Sequence, residues 1–287
     1  MVHTGGHSMS GRTAVQNAEL ALLLEVTGTP KPGNVDRERD FEALRFEHFM
    51  AGAVGARPGL ALAADGSAVG HAFERAVAGM ADQSAGNTQF GALLVLAPLV
   101  AAASEGELTP SGADSVVRET TVDDAAEFYR AFEHVDVAVD DPPAGMEPLD
   151  VRRGSDAISA LEERGLTLFD IMARSADVDG IAAEWVGEFA RVFDAAESIL
   201  AAHGPVPDRA SRVFVELLAG EVDTFVVTRN GREAAEEVTR RAGAVLDGEE
   251  DATDLAEELV ARDINPGTTA DLVAGALFVA LERGLVV

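Results

Sequence analysis

The chain has 287 residues, 50 acidic and 22 basic, for a formal charge of -28, and its single lysine is Lys31. That balance leaves no basic stripe to neutralise phosphates and argues against a nucleic-acid partner; it reads instead as adaptation to a high-salt, halophilic cytoplasm in which self-repulsion is screened. Absent cysteine rules out disulfides and thiolate chemistry, and the longest apolar run, 90–103, is too short to cross a bilayer, so a cytoplasmic protein with no membrane partner is expected.

Residues 1–11 carry His3 and His7 without an apolar h-region and read as a disordered leader; 12–287 read as one domain. Ala18, Leu22, Glu25 and Val26 predict a helix that ends at Gly28. Phe41 to Ala64 predicts the next, with Phe46, Phe49, Met50 and Val54 at three- and four-residue steps. Helical segments follow at 67–84, 90–103, 112–119, 122–133, 155–176, 178–202, 207–219, 231–246, 250–263 and 269–283, punctuated by Gly, Pro, Asn and Asp. Between them, Asp140 to Arg153 is proline-rich and acidic, which predicts a lid or a linker. Only Thr224 to Thr228 has strand composition, and one such segment makes no sheet. The expected class is all-α, a single-domain bundle of many helices around a polar nucleotide cleft.

Four polar, glycine-bearing loops interrupt the helices. In Thr29-Pro30-Lys31-Pro32-Gly33-Asn34-Val35-Asp36-Arg37 two prolines stiffen the chain and Gly33 permits a sharp turn, so an exposed ammonium beside Asn34, Asp36 and Arg37 is expected. The others are Gly86-Asn87-Thr88-Gln89-Phe90-Gly91, Asp223-Thr224 with Arg229-Asn230-Gly231, and Asn265-Pro266-Gly267-Thr268-Thr269-Ala270-Asp271. The second and fourth precede helices, where free N–H groups and the helix dipole favour anions. The same residues also serve as ordinary caps, with Thr88 and Thr269 as N-caps and Asp271 as a first-turn carboxylate. Four such loops with a solitary lysine point to a phosphate-rich ligand and predict that the loops converge. His71, His134 and His203 have no companion at metal-ligand spacing, so no zinc site is expected.

At these loops the chain resembles the triphosphoribosyl-dephospho-CoA synthases. The resemblance rests on Pro30 to Arg37, Gly86 to Thr88 and Asn265 to Leu272, and runs from about residue 18 to the C-terminus. It is most similar to the archaeal branch, through Gly165 to Asp170 and Ser175 to Trp185. Bacterial members follow Asn-Thr with His-Lys-Gly, where this chain has Gln89-Phe90-Gly91, and no counterpart of their glycine- and arginine-rich middle segment is recognisable.

The resemblance implies an all-α fold and a reaction in which the 2′-hydroxyl of 3′-dephospho-CoA, or a related acceptor, displaces adenine from C1′ of ATP; Mg²⁺ as cofactor and a homodimer are the accompanying expectations. The product class is the prosthetic-group precursor of citrate or malonate lyase-type carrier proteins. For that chemistry Lys31, Arg37, metal and helix-terminal N–H groups would balance the triphosphate, and Asp36, Asp179 and Asp271 would hold the metal. Glu184 or Asp40 would take the hydroxyl proton, and His48 would protonate the departing adenine. Asn34, Asn87, Thr88, Gln89, Asn265, Gly267, Thr268 and Thr269 would contact the nucleotide. Two other readings remain open at this level: a Mg²⁺-dependent hydrolase of ribosyl linkages, resembling ADP-ribosylglycohydrolase chemistry, and a non-catalytic adenine-nucleotide or CoA-binding protein.

Overall fold

The computed structural model describes residues 11–142 and 146–287; the expected leader lies, but for Gly11, outside them. Fifteen α-helices are present among the described residues, and no strand. In chain order they are α1 (Ala14–Thr27), α2 (Phe46–Ala64), α3 (Val69–Met80), α4 (Phe90–Ser104), α5 (Pro110–Arg118), α6 (Val122–Ala131), α7 (Ile158–Arg164), α8 (Leu168–Ser175), α9 (Gly180–Val186), α10 (Ala190–Ala201), α11 (Val206–Gly220), α12 (Thr224–Asn230), α13 (Arg232–Leu246), α14 (Ala252–Ala261) and α15 (Gly267–Glu282). They form a single all-α domain. No helix among the described residues is long and apolar enough to cross a membrane.

Local sequence sets many of the boundaries. Thr13 with Gln16, Thr121 with Asp124 and Thr167 with Asp170 form reciprocal capping boxes at α1, α6 and α8, each satisfying two N–H groups that the first turn leaves open. Helices α4 and α15 are apolar on nearly every face and are buried along most of their length. Such helices belong at the centre of a bundle, and α15 packs against α1, α4, α10 and α11. An aromatic cluster of Phe73, Phe90, Phe128 and Phe132 ties α3, α4 and α6 together, with ring centroids 4.9–6.4 Å apart.

Several segments differ from their sequence expectation. The second helix starts at Phe46, not at 41, because Asp40 Oδ1 accepts the Phe46 N–H at 2.7 Å and Phe41 turns onto Leu44. The expected helix 155–176 is broken by Gly165 in the left-handed conformation, and 178–202 by Glu188 and Phe189, both at positive φ. The strand-like Thr224–Thr228 is helical, because Asp223 caps it through the Val226 N–H and tertiary packing overrides a weak β propensity. Within 140–153, the described residues form short 3₁₀ turns at Glu147–Leu149 and Val151–Ala157, and Tyr129 donates to the Leu149 carbonyl at 2.6 Å. Described residues of this stretch line the interior of the one all-α domain, which leaves no second unit for it to link.

Candidate functional site

The lysine loop is organised by Asp36. Its Oδ2 accepts from Thr29 Oγ1 at 2.8 Å, from the Lys31 N–H at 3.2 Å and from Arg39 Nη1 at 3.2 Å, while Oδ1 accepts from the Glu38 N–H at 2.8 Å. Lys31 is fully buried. Its ammonium is ion-paired with Glu25 of α1, and it donates to Asn34 Oδ1 at 2.9 Å. Asn34 Nδ2 in turn donates to Asn265 Oδ1 at 2.9 Å, which joins the first loop to the last across 231 positions. The two loops touch so closely that a Cβ on Gly33 would lie 2.4 Å from the Ile264 carbonyl oxygen.

A second set of bonds gathers the N-termini of four helices. Asp271 of α15 reaches across to the start of α4, where a Cβ on Gly91 would lie 2.0 Å from its Oδ2, and Asn87 Oδ1 accepts the Phe90 N–H at 3.1 Å. Asp223 joins α12 to α15, for its Oδ2 accepts both the N–H and the hydroxyl of Thr269, at 2.8 and 2.7 Å. Thr224 Oγ1 accepts from the Gly180 N–H at 2.9 Å and lies 3.1 Å from Thr268 Oγ1, tying α9 into the same cluster. Asp179 caps α9 through the Ala182 N–H at 2.7 Å.

These termini and the lysine loop enclose one cavity of ≈ 920 Å³. That lies near the upper end of the roughly 300–1,000 Å³ common for ligand sites. Part of its wall is polar: Asn34, Asn87, Thr88, Asp179, Thr268 and Asp271. Part is apolar, built from Phe128, Phe132, Val137, Met146, Ile171 and Met172. Ten carboxylate residues line the cavity, against two arginines, Arg174 and Arg229. Burial, then the charge of Glu25 and those of Asp223 and Asp179, hold the Asp271 carboxyl well above the usual carboxylate range. Burial likewise raises Asp179, Asp223 and Glu25, with Lys31 opposing the shift at Glu25. A polyphosphate therefore enters this space favourably only with accompanying cations.

The expected convergence is observed in part: Asn34, Asn87, Thr88, Gln89, Asp179, Asn265, Gly267, Thr268 and Asp271 border the cavity, although they come from separate stretches of chain, whereas Lys31 and Asp36 do not. Asp40 borders it too. Asp271, read as a first-turn carboxylate of its own helix, sits one turn further in and lies against Gly91 of α4. Six candidates lie elsewhere. Lys31 is not an exposed ammonium; Glu25 and Asn34 hold it behind the cavity wall, because an unpaired buried charge would be costly. The oxygens of Asp36 are taken up within its own loop, and Arg37 points to solvent while Arg39 makes the pair with Asp36. His48 accepts the Arg45 N–H on Nδ1 at 3.1 Å and places Nε2 3.3 Å from Ser84 Oγ, as part of the α2 start. Glu184 is buried against Arg191 Nε at 2.6 Å and the Val192 N–H at 3.2 Å, fastening α9 to α10. Thr269 faces Asp223.

Two residues of the site were not singled out from the sequence as candidates. Glu25 had a visible signal, an acidic residue on the apolar stripe of its helix six positions before the only lysine. Asp223 stood in the third loop, but its link to Thr269 spans 46 positions.

A family model described as "CitG: ATP:dephospho-CoA triphosphoribosyl transferase" matches residues 11–286. Among solved structures the chain is similar to a crystal structure assigned as a triphosphoribosyl-dephospho-CoA synthase from Archaeoglobus fulgidus. The two share 25% identity with a TM-score of 0.67, over 82% of this chain and 99% of the other. No curated protein matches.

Proposed function

The chain belongs to the ATP:dephospho-CoA triphosphoribosyl transferase family and is a transferase of that class; we propose that it performs the transfer in the ≈ 920 Å³ cavity, with adenine as leaving group and the 2′-hydroxyl of 3′-dephospho-CoA as nucleophile. The observation that carries this reading is the meeting of Asn34, Asn87, Thr88, Asp179, Thr268 and Asp271 around one space of ≈ 920 Å³. The triphosphate lies on the polar wall, where the N-termini of α4 and α15 supply oriented N–H groups. The pantetheine arm of the acceptor lies on the apolar wall of Phe128, Phe132, Met146 and Met172.

Hard oxygen donors and mutually repelling buried carboxylates suit Mg²⁺, and Asp271 and Asp179 are the residues proposed to hold it. When bound, the metal neutralises triphosphate charge. The acceptor oxygen attacks C1′ of the ATP ribose, the C1′–N9 bond breaks with its electron pair going to adenine, and the hydroxyl proton passes to a cavity carboxylate. Asp40 is proposed for that role, since only one of its oxygens is engaged, by the Phe46 N–H. Lys31 acts at one remove, by fixing Glu25 and Asn34 at the cavity edge.

Incubation with ATP, dephospho-CoA and Mg²⁺ in concentrated KCl, followed by mass spectrometry, tests the proposal. Equal amounts of free adenine and triphosphoribosyl-dephospho-CoA are expected. Adenine released equally well without acceptor would identify a hydrolase, and intact ATP would identify a binding protein.

A further inference from the structure

Helices α3 and α6 meet almost backbone to backbone. Asp124 Oδ1 accepts the Gly70 N–H at 2.7 Å, and a Cβ on Gly70 would lie 2.3 Å from the Asp124 carbonyl oxygen. That contact sets the next residues of both helices opposite one another. His71 and Glu74, three apart and so on one face of α3, come against Glu127 of α6, and one donor atom from each lies within 4.8 Å of the others. His134, in the turn after α6, adds a second imidazole with Nε2 2.6 Å from Glu74 Oε1. Arg130 Nη1 donates to Glu127 Oε1 at 2.7 Å, orienting that carboxylate from outside. None of the four residues borders the cavity.

We propose that His71, Glu74 and Glu127 form a second metal site, with His134 holding Glu74 from outside, selective for a divalent transition ion of which zinc is the best match. One imidazole and two carboxylates on a rigid helix pair, with a further position left to water, match the nitrogen–oxygen donor sets that favour zinc. They match Mg²⁺ poorly, since it prefers oxygen ligands and retains water. The ion clamps α6 to α3. Because Phe128 and Tyr129 of α6, and Phe132 just after it, border the cavity, the clamp also stiffens its wall.

The test uses the untagged chain stripped with EDTA and titrated with zinc chloride by calorimetry, then with Co²⁺ by visible absorption. One equivalent at micromolar affinity or tighter is expected, with a visible Co²⁺ band, a higher thermal midpoint and no displacement by millimolar Mg²⁺. The His71→Ala/His134→Ala double variant should lose at least about tenfold in affinity, as should Glu127→Gln. Midpoints measured in EDTA check that both variants are folded, and Glu127→Gln decides the matter if the double variant is not. Zinc bound as tightly by the variants as by the parent, or no stoichiometric binding by the parent, overturns the proposal. The readout does not involve nucleotides, so it stands or falls apart from the transferase chemistry.

Discussion

Asp271 lies directly against Gly91: a methyl group on that glycine would sit 2.0 Å from Asp271 Oδ2. Gly91 therefore makes room for the carboxylate that links α15 to the start of α4, and the side-chain-free position is a requirement of the site. Gly91→Ala should push Asp271 out of place, costing about 1–3 kcal/mol of stability by overpacking and most of the transferase activity. Urea denaturation and adenine release are the two measurements; a variant equal to the parent in both would show that the carboxylate moves aside freely.

Asp271 also gives a signed dependence on pH. Its folded pKa is held well above the ordinary value, by burial first and then by Glu25, so the folded chain keeps a proton that the unfolded chain gives up. The stability this contributes is fully present below the unfolded value, near pH 4, and is lost as pH rises through the folded value. Asp271→Asn cannot titrate. In metal-free buffer its thermal midpoint, taken relative to the parent, should therefore rise as pH climbs from 4 to 8, while transfer falls by about a hundredfold or more. A constant difference in midpoint across that range would mean that the carboxylate is ionised at ordinary cost.

Removing the ammonium of Lys31 strands the buried carboxylate of Glu25. Lys31→Ala should lose about 3–5 kcal/mol, the range for breaking one half of a buried pair, and should bind ATP weakly because Glu25 and Asn34 lose their anchor. The double variant Glu25→Gln/Lys31→Met removes both charges and should recover much of the stability but not the binding. Denaturation midpoints and ATP calorimetry distinguish the two effects. If Lys31→Ala were as stable as the parent, the pair would contribute nothing to the fold.

A formal charge of -28 makes the folded state sensitive to screening. Raising KCl from dilute buffer to molar concentration shortens the Debye length to about 3 Å, and the thermal midpoint should climb steeply over that range. Equal midpoints at both ends would show that the acidic surface costs the fold little.

Mg²⁺ should be required for turnover, since ten carboxylate residues face the cavity against two arginines. Chelation should abolish adenine release and weaken ATP binding, and restored Mg²⁺ should recover both. Undiminished release in EDTA would assign charge neutralisation to Arg174 and Arg229.

Helical class was legible in the sequence because it depends on local periodicity. Leu22 and Val26, or Phe46, Phe49 and Met50, fall on one face whatever surrounds them, and threonine caps announce themselves before each run. Thr224–Thr228 was misread for the same reason: five residues of β-branched and aromatic character carry no information about Asp223 beneath them or Thr268 beside them. The polar loops around the cavity were also legible, since Asn87–Thr88 and Thr268–Asp271 stand at helix starts. Which of their side chains face the cavity was not.

The sequence by itself determined an all-α, strongly acidic protein with polar, glycine-bearing loops at its helix starts, because composition, periodicity and capping act over a few residues. Tertiary structure alone decided that Lys31 is locked to Glu25, that Asp36 and Glu184 brace backbone, that Asp271 meets Gly91, and that His71 meets Glu74 and Glu127. Those outcomes depend on which buried charges find partners when distant helices pack. Desolvation makes such pairing obligatory, but nothing in local spacing specifies the partner.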